Sequence, residues 1–269
     1  MPPTHTKRTS TISVVLMVKN EKPQLREFFE NVTGVADEVV LVDTGSVDGT
    51  VDEAESIIKK LPFPVRILSY VQPKFHDGQT RQYAVEQCTQ EYVLQIDADE
   101  RMSEEFKTHI KEFLANENPI VATIPRIDDM VPHLHDVMNN RLFKRESDAH
   151  YSTDATPEAA VHAQFVYSGT RIIFPYPIYH MQGANHWLRR PHRIFDQLTR
   201  EIDKMPNTRG LFRELVRGTL GFFYKFRNIY FRSGVREDGR AGLKFAFLKG
   251  LYVFLMHLFV GLKPRVPKE

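Results

Sequence analysis

The residues best suited to chemistry are the three carboxylates of Ile96-Asp97-Ala98-Asp99-Glu100, which close an apolar run. Like charges at the end of a buried strand repel, and each must stay solvated or find a partner. A divalent cation would relieve the repulsion, and hard carboxylate oxygens favour Mg2+ or Mn2+, commonly shared with substrate phosphates and water. Asp97 and Asp99 project to the same side if extended geometry persists past the strand. The competing reading is a solvated acidic turn ahead of a helix whose N-terminus favours acids. A second group is Val42-Asp43-Thr44-Gly45-Ser46-Val47-Asp48-Gly49-Thr50. Its glycines permit tight turns and close ligand approach, and Asp43 at the strand end can accept hydrogen bonds from a ribose hydroxyl or a base N–H. Lys19-Asn20-Glu21 forms a third charged mouth. Arg81 is a fourth candidate, able to hold a diphosphate through paired N–H donors or simply to solubilise a helix.

These residues need elements to carry them. Ile12–Val18 is a continuous β-branched apolar run, the pattern of a strand buried on both faces of a parallel sheet. Residues 39–42, 65–70, 92–96 and 120–124 read as further strands. Between them fall helical stripes: Leu25, Phe28, Phe29 and Val32; then Val51, Ala54, Ile57, Ile58 and Leu61; then residues 79–89; then Phe106, Ile110, Phe113 and Leu114. Thr50 with Glu53 has capping-box spacing, and Ser103 is placed to cap the helix that follows it. Such alternation predicts a doubly wound, mostly parallel α/β sheet, in which ligands bind at the carboxyl ends of the strands. The loops after Val18, Val42 and Ile96 lie there. Beyond residue 126 the pattern weakens into long loops, with an apolar strand expected over 172–178. The division expected is 1–185 for the catalytic domain and 186–269 for a basic, apolar helical region.

Composition narrows the classes. At 269 residues with 42% hydrophobic and 26% charged residues, the chain is neither disordered nor fibrous. Residues 201–269 carry 14 Lys and Arg against 6 Asp and Glu, whereas the preceding 200 carry 22 against 28. A basic, apolar tail behind an acidic front suggests an anionic surface or acceptor near the tail. In residues 222–231 aromatic side chains interleave with Arg227; with residues 251–262 this suits an interfacial helical region over 218–269, resting on anionic lipid, or a cap on the sheet or on a subunit partner in a homo-oligomer. The apolar stretch 250–262 is shorter than the ~20 residues that span a bilayer. No recognised module accompanies the basic residues, so nucleic acid is not an expected partner. The single cysteine, Cys88, fits a reducing compartment, and the expected location is cytoplasmic, peripheral at the inner face of a membrane.

The set as a whole resembles a known family. Ile12-Ser13-Val14-Val15-Leu16-Met17-Val18-Lys19-Asn20-Glu21, the Asp43 loop, Gln79-Thr80-Arg81-Gln82-Tyr83 and the Asp97 cluster stand in the order and spacing of family 2 glycosyltransferases. Among these the chain looks most like the bacterial lipopolysaccharide-core enzymes, on the strength of Arg141-Leu142-Phe143, Val161-His162-Ala163 and Tyr179-His180. The resemblance implies a GT-A fold and inverting transfer from a nucleotide-diphospho-sugar, with uridine as the expected nucleotide, to a glycan or glycolipid acceptor. It also implies roles. Asp43 would contact base or ribose with Glu21 beside it, Arg81 would face the diphosphate, Asp97 would reach ribose and metal, Asp99 would ligate Mn2+ or Mg2+ directly, and His180 would complete the metal site. The family's Val-His-Glu reads Val161-His162-Ala163 here. The general base must therefore lie elsewhere, with Glu158 expected and Asp128 or Asp129 as the alternatives, or else the chain binds sugar nucleotides without catalysis.

Overall fold

The computed structural model describes residues 10–73, 75–129, 131–133, 138–154, 164–181, 198–199 and 201–265. They form two compact units: Met1–Arg126 with Met138–His180, and Ile127–Val137 with Met181–Glu269.

The first unit begins with β1 (Ile12–Val18), which lies between β2 (Glu38–Asp43) and β4 (Tyr92–Gln95), with β3 (Val65–Ser69) beyond β2; all four run parallel. Burial of nearly every residue of β1, β2 and β4 explains why these runs are apolar without alternation. Next come β5 (Glu100–Met102), β6 (Val121–Asp128) and β7 (Met138–Lys144), then β8 (His150–Tyr151), β9 (Phe165–Val166), β10 (Arg171–Ile173) and β11 (Ile178–His180). The sheet order among described residues is β3-β2-β1-β4-β7-β6-β11-β5, with β10 on β6 and a separate β8-β9 pair. β7 is antiparallel to both β4 and β6, so the sheet is mixed, parallel at its first half and flanked by helices.

The helices of this unit are α1 (Leu25–Val32), α2 (Thr50–Ile58), α3 (Asp77–Glu86) and α4 (Glu104–Glu117). Leu25, Phe28, Phe29 and Val32 of α1 are buried, the stripe that the i, i+3, i+4, i+7 spacing requires. Ser103 caps α4 by accepting from Phe106 N at 3.0 Å.

Three local expectations are corrected. The capping box at Thr50 is not made: Gly49, at φ 83°, is the N-cap, and Thr50 is the first helical residue. Its hydroxyl instead links Asp48 to Glu21 N. The apolar run 172–178 is two strands, β10 and β11, because Pro175 and Pro177 between them cannot donate to a ladder. The helix expected over 79–89 starts earlier, at Asp77, because the ring of His76 caps it by accepting from Gln79 N.

The second unit is dominated by α5 (Leu211–Arg232) and α6 (Gly239–Leu262), an antiparallel pair joined by a 3-10 turn at Val235–Asp238. Glycines let the two backbones approach: a Cβ at Gly221 would meet Val253 at 2.8 Å and one at Gly250 would meet Phe222 at 2.9 Å. With its turn, the helix Val235–Leu262 is long and apolar enough to cross a membrane, which the 13-residue apolar stretch did not foretell because Lys244 and Lys249 interrupt it.

Candidate active site

The parallel strands place their carboxyl ends at one edge. Val18 of β1 is in register with Asp43 of β2, and Val15 of β1 with Gln95 of β4. With strands about 4.8 Å apart, the β2 and β4 ends are separated by about 10 Å. Glu21, Asp43 and Asp97 therefore share one edge, fixed by topology.

The loops after β1 and β2 are tied together. Asn20, at φ 58°, donates its N–H to Ser46 Oγ at 2.9 Å and accepts from Val47 N at 2.8 Å. Glu21 N donates to Thr50 Oγ1 at 3.0 Å, and Lys22 N to Asp48. The carboxylate of Asp43 accepts from Gly45 N and Ser46 N at 3.1–3.2 Å, folding the turn around itself. Asp43 and Glu21 are 7% and 8% exposed, so two acids sit at the mouth, nearly withdrawn from solvent.

The cluster after β4 does not stay extended. Glu100 N donates to Asp97 O at 3.0 Å, a turn over Ala98 and Asp99 that sends the two aspartates to different partners. The same-side projection expected from their two-residue spacing is not what the chain adopts. Asp97 faces arginines: its Oδ2 lies 3.3 Å from Arg141 Nη2 and its Oδ1 3.7 Å from Arg81 Nη1. Gln95 Nε2 donates to the same Oδ1 at 3.3 Å, and Tyr151 donates its hydroxyl to Gln95. Glu100 is fully buried between Arg126 Nε at 2.8 Å and Arg141 Nη1. Asp99 faces His180, whose Nε2 is 3.4 Å from Oδ2. Antiparallel pairing of β11 with β5 sets His180 opposite Glu100 and so delivers it across the turn.

Electrostatics follow. Burial alone would raise the Asp97 carboxyl, but Arg141 and Arg81 hold it well below the ordinary range. Asp99 also loses water, and His180 outweighs that loss to keep it low. Glu100 moves the other way: burial and the adjacent Asp97 push it up against the pull of Arg141 and Arg126. The phenol of Tyr151 is pushed up to about 12 by burial. The repulsion read from the sequence is thus outweighed within the protein for Asp97, while Glu100 still feels it despite its two arginines. Asp99 is left with a neutralisable histidine.

Arg81 is positioned by α3. Its Nε donates to Asp77 Oδ1 at 2.9 Å, while its Nη1 is buried with no hydrogen-bond partner. An unsatisfied guanidinium N–H is costly to leave so, and here it points toward Asp97. Arg81, Arg141, Asp77, Gln95, Asn140 and Tyr151 line a pocket of about 350 Å3. Gly78 lets α3 come this close, since a Cβ there would meet Ser152 O at 2.1 Å.

Among the described residues no three His, Cys, Asp or Glu side chains converge as a closed metal cage. Asp99 and His180 remain a donor pair suited to a cation that takes its other ligands from phosphates and water. Asp97 is the poorer ligand, its oxygens already turned to arginines. Glu158, His162 and Ala163 lie outside the described residues. The sequence assigned Arg126 and Arg141 no site role, Arg141 counting only as part of Arg141-Leu142-Phe143. The one available signal was an arginine opening the apolar pair Leu142-Phe143 in a strand, where a charge needs a buried partner.

The description Glycosyl transferase family 2 matches residues 13–190. The chain is 36% identical over 110 residues to the lipopolysaccharide core biosynthesis glycosyltransferase LpsC of Rhizobium meliloti (strain 1021), covering 41% of this chain and 39% of that protein. It is 30% identical over 128 residues to an uncharacterized glycosyltransferase of Rickettsia bellii (strain RML369-C), covering 48% and 41%. The matched region thus spans about two fifths of the length of these curated relatives. Among solved structures, it resembles the mannosyltransferase PcManGT from Pyrobaculum calidifontis, in complex with GDP-Man and Mn2+, at a TM-score of 0.49 and 17% identity over 73% of this chain and 64% of that one. S. aureus TarS 1-349 gives a TM-score of 0.49 and 14% identity over 92% and 81%. With the family match running over more than half of the sequence, from β1 through β11, the chain belongs to glycosyl transferase family 2.

Proposed function

We propose that this chain transfers a sugar, with inversion, from a nucleotide-diphospho-sugar to a hydroxyl of a glycan or glycolipid acceptor such as a lipopolysaccharide-core-like saccharide. The observation that carries the reading is the shared strand edge, where Glu21, Asp43 and Asp97 follow neighbouring strand ends and Asp97 lies 3.7 Å from Arg81 Nη1, a buried nitrogen with no hydrogen-bond partner. Uridine is the proposed nucleotide. Asp43 and Glu21 suit base and ribose, both being carboxylates held at the mouth by backbone turns. Arg81 Nη1, ion-paired at 3.7 Å to Asp97 but making no hydrogen bond, would offer its N–H to the diphosphate, in a setting where water is thin and a charge-assisted bond is strong. Asp97, held by Arg81 and Arg141, acts beside the ribose, and Asp99 with His180 would hold Mn2+ or Mg2+. Such an ion supplies charge stabilisation to phosphate oxygens when bound.

The acceptor oxygen attacks the anomeric carbon as the bond to the diphosphate oxygen breaks. The acceptor's proton passes to a carboxylate, proposed as Glu158, and the nucleoside diphosphate leaves with the bonding pair. A positioned base contributes ~10²–10⁴-fold in rate. Arg81 keeps the departing charge favourable without reorganising, because Asp77 already fixes it.

The test is a thermal-shift screen of nucleotide-sugars with and without Mn2+, followed by transfer assays, since a ligand that binds the native state raises its midpoint. Uridine diphosphate sugars should raise it most, and more with Mn2+. Asp99→Ala should abolish transfer and the Mn2+-dependent part of the shift while the ligand-free midpoint stays near that of the parent. Full turnover by Asp99→Ala would contradict the scheme. Tight donor binding with neither hydrolysis nor transfer over a panel of acceptors would identify a non-catalytic sugar-nucleotide binder.

A further inference from the structure

The outer face of α5 has a composition that solvent alone does not explain. Phe212, Val216, Leu220, Phe223, Tyr224 and Phe231 are 44–79% exposed on it. Arg213, Arg217 and Arg227 are exposed among them. No acid shares that face. In the 46 residues of α5 and α6 there are eight Lys and Arg and one acid, Glu214. That acid is turned inward, 1% exposed, with its Oε2 2.7 Å from His257 Nδ1. The acids of the connecting turn, Glu237 and Asp238, sit at the tip of the hairpin, where Asp238 Oδ1 is 2.6 Å from His133 Nδ1. Its partner α6 is apolar apart from Arg240, Lys244, Lys249 and His257, and leaves Leu243, Phe247, Phe259 and Leu262 at the surface.

We infer that the α5–α6 hairpin docks on the surface of an anionic lipid bilayer, with the aromatic and aliphatic side chains of α5 in the headgroup–acyl boundary and its arginines on lipid phosphates. Charge complementarity selects this occupant: large apolar groups whose only charged neighbours are basic, the arginines and Lys225, match a surface that is apolar inside and anionic at its rim. Exposed acids are what such a surface would repel, and the helices have none. Lying on the bilayer is favoured over crossing it. Although α6 is long and apolar enough to span, α5 is packed along it through Gly218, Gly221, Gly250 and Gly261. Insertion would carry the four arginines and the lysine of α5 into hydrocarbon. The inference stands independently of the donor chemistry proposed above.

The full chain should co-sediment with vesicles of mixed phosphatidylglycerol and phosphatidylcholine but not with phosphatidylcholine alone. Charge reversal of Arg213, Arg217 and Arg227 to Glu should lower partitioning on the order of a hundredfold at low salt. Leu220→Glu with Phe223→Glu should lower it about tenfold or more without moving the thermal midpoint, since both side chains already face outward. As a reading that survives any folding defect in these variants, Leu220→Trp in a Trp187→Phe background should blue-shift on adding anionic vesicles. The inference is overturned by equal binding to neutral vesicles, by no binding or no blue shift, or by retention on the membrane after alkaline extraction. A dimer in sedimentation velocity that Leu220→Glu and Phe223→Glu dissolve would also overturn it and give this face to a second copy of the chain.

Discussion

Arg141 shows how a single side chain conditions the site. Its guanidinium spans Asp97 and Glu100; burial works against its charge, and the two carboxylates beside it outweigh burial and keep it charged. Replacing it by Leu strands both acids in a poorly solvated pocket, for which the loss of one partner typically costs about 3–5 kcal/mol. Equilibrium denaturation of Arg141→Leu should show a loss of that size, and adding Glu100→Gln should recover part of it; a strictly additive double variant would deny the pairing. Arg141→Lys should recover less than its charge suggests, because one ammonium cannot serve two carboxylates in the fixed fork that guanidinium provides. At Asp99 the balance differs. Its partner is a histidine, so truncation leaves no stranded cation and stability should change little.

At the scale of elements, the opposite edge of the sheet is held by Glu38. Ser13 of β1, Thr89 ahead of β4 and Arg66 of β3 all donate to its carboxylate, so one residue joins four strands. Burial would raise its pKa, but these donors outweigh burial and hold it below the ordinary value of 4.5. Because the folded value is depressed, this stabilisation is complete above pH 4.5 and is lost as pH falls through the folded value. Glu38→Gln should therefore be destabilised by about 1–3 kcal/mol at pH 7, and its deficit should shrink on acidification below pH ~4. A deficit independent of pH in urea titrations would contradict the assignment. The close approach of α3 to β8 makes a separate claim. Gly78→Ala places a methyl 2.1 Å from Ser152 O, a backbone atom that cannot swing aside. A loss of about 1–3 kcal/mol is expected, together with weaker donor binding as Arg81 is displaced; an unchanged donor-induced thermal shift would separate α3 from the site.

For the whole molecule, the division of charge matters more than the net +2. Basic residues concentrate in the last 69 positions, and the acids of the first 200 include those at the strand edge. Charge-driven partitioning to anionic vesicles should fall steeply as salt shortens the Debye length from about 10 Å at 0.1 M to about 3 Å at 1 M. Apolar contacts should leave a residue of binding that salt does not remove. A salt-independent isotherm would mean that the arginines are idle.

Local pattern was enough to place much of this. The unbroken apolar strands, the helical stripe of α1 and the Ser103 cap depend on neighbours a few residues apart, and they could be read directly. Alternation of strand and helix made the sheet parallel and put Glu21, Asp43 and Asp97 at carboxyl ends, because a right-handed crossover returns each strand in the same direction. What the order of residues could not show was which charge meets which. The turn over Ala98 and Asp99 and the antiparallel reach of β11, which brings His180 from 81 positions away, decide the partners of the cluster. So does β7, which inserts Arg141 beside β4. Ion pairs fall off over a few ångströms while chain separation is counted in residues. Pairing within the cluster is therefore a property of the folded sheet.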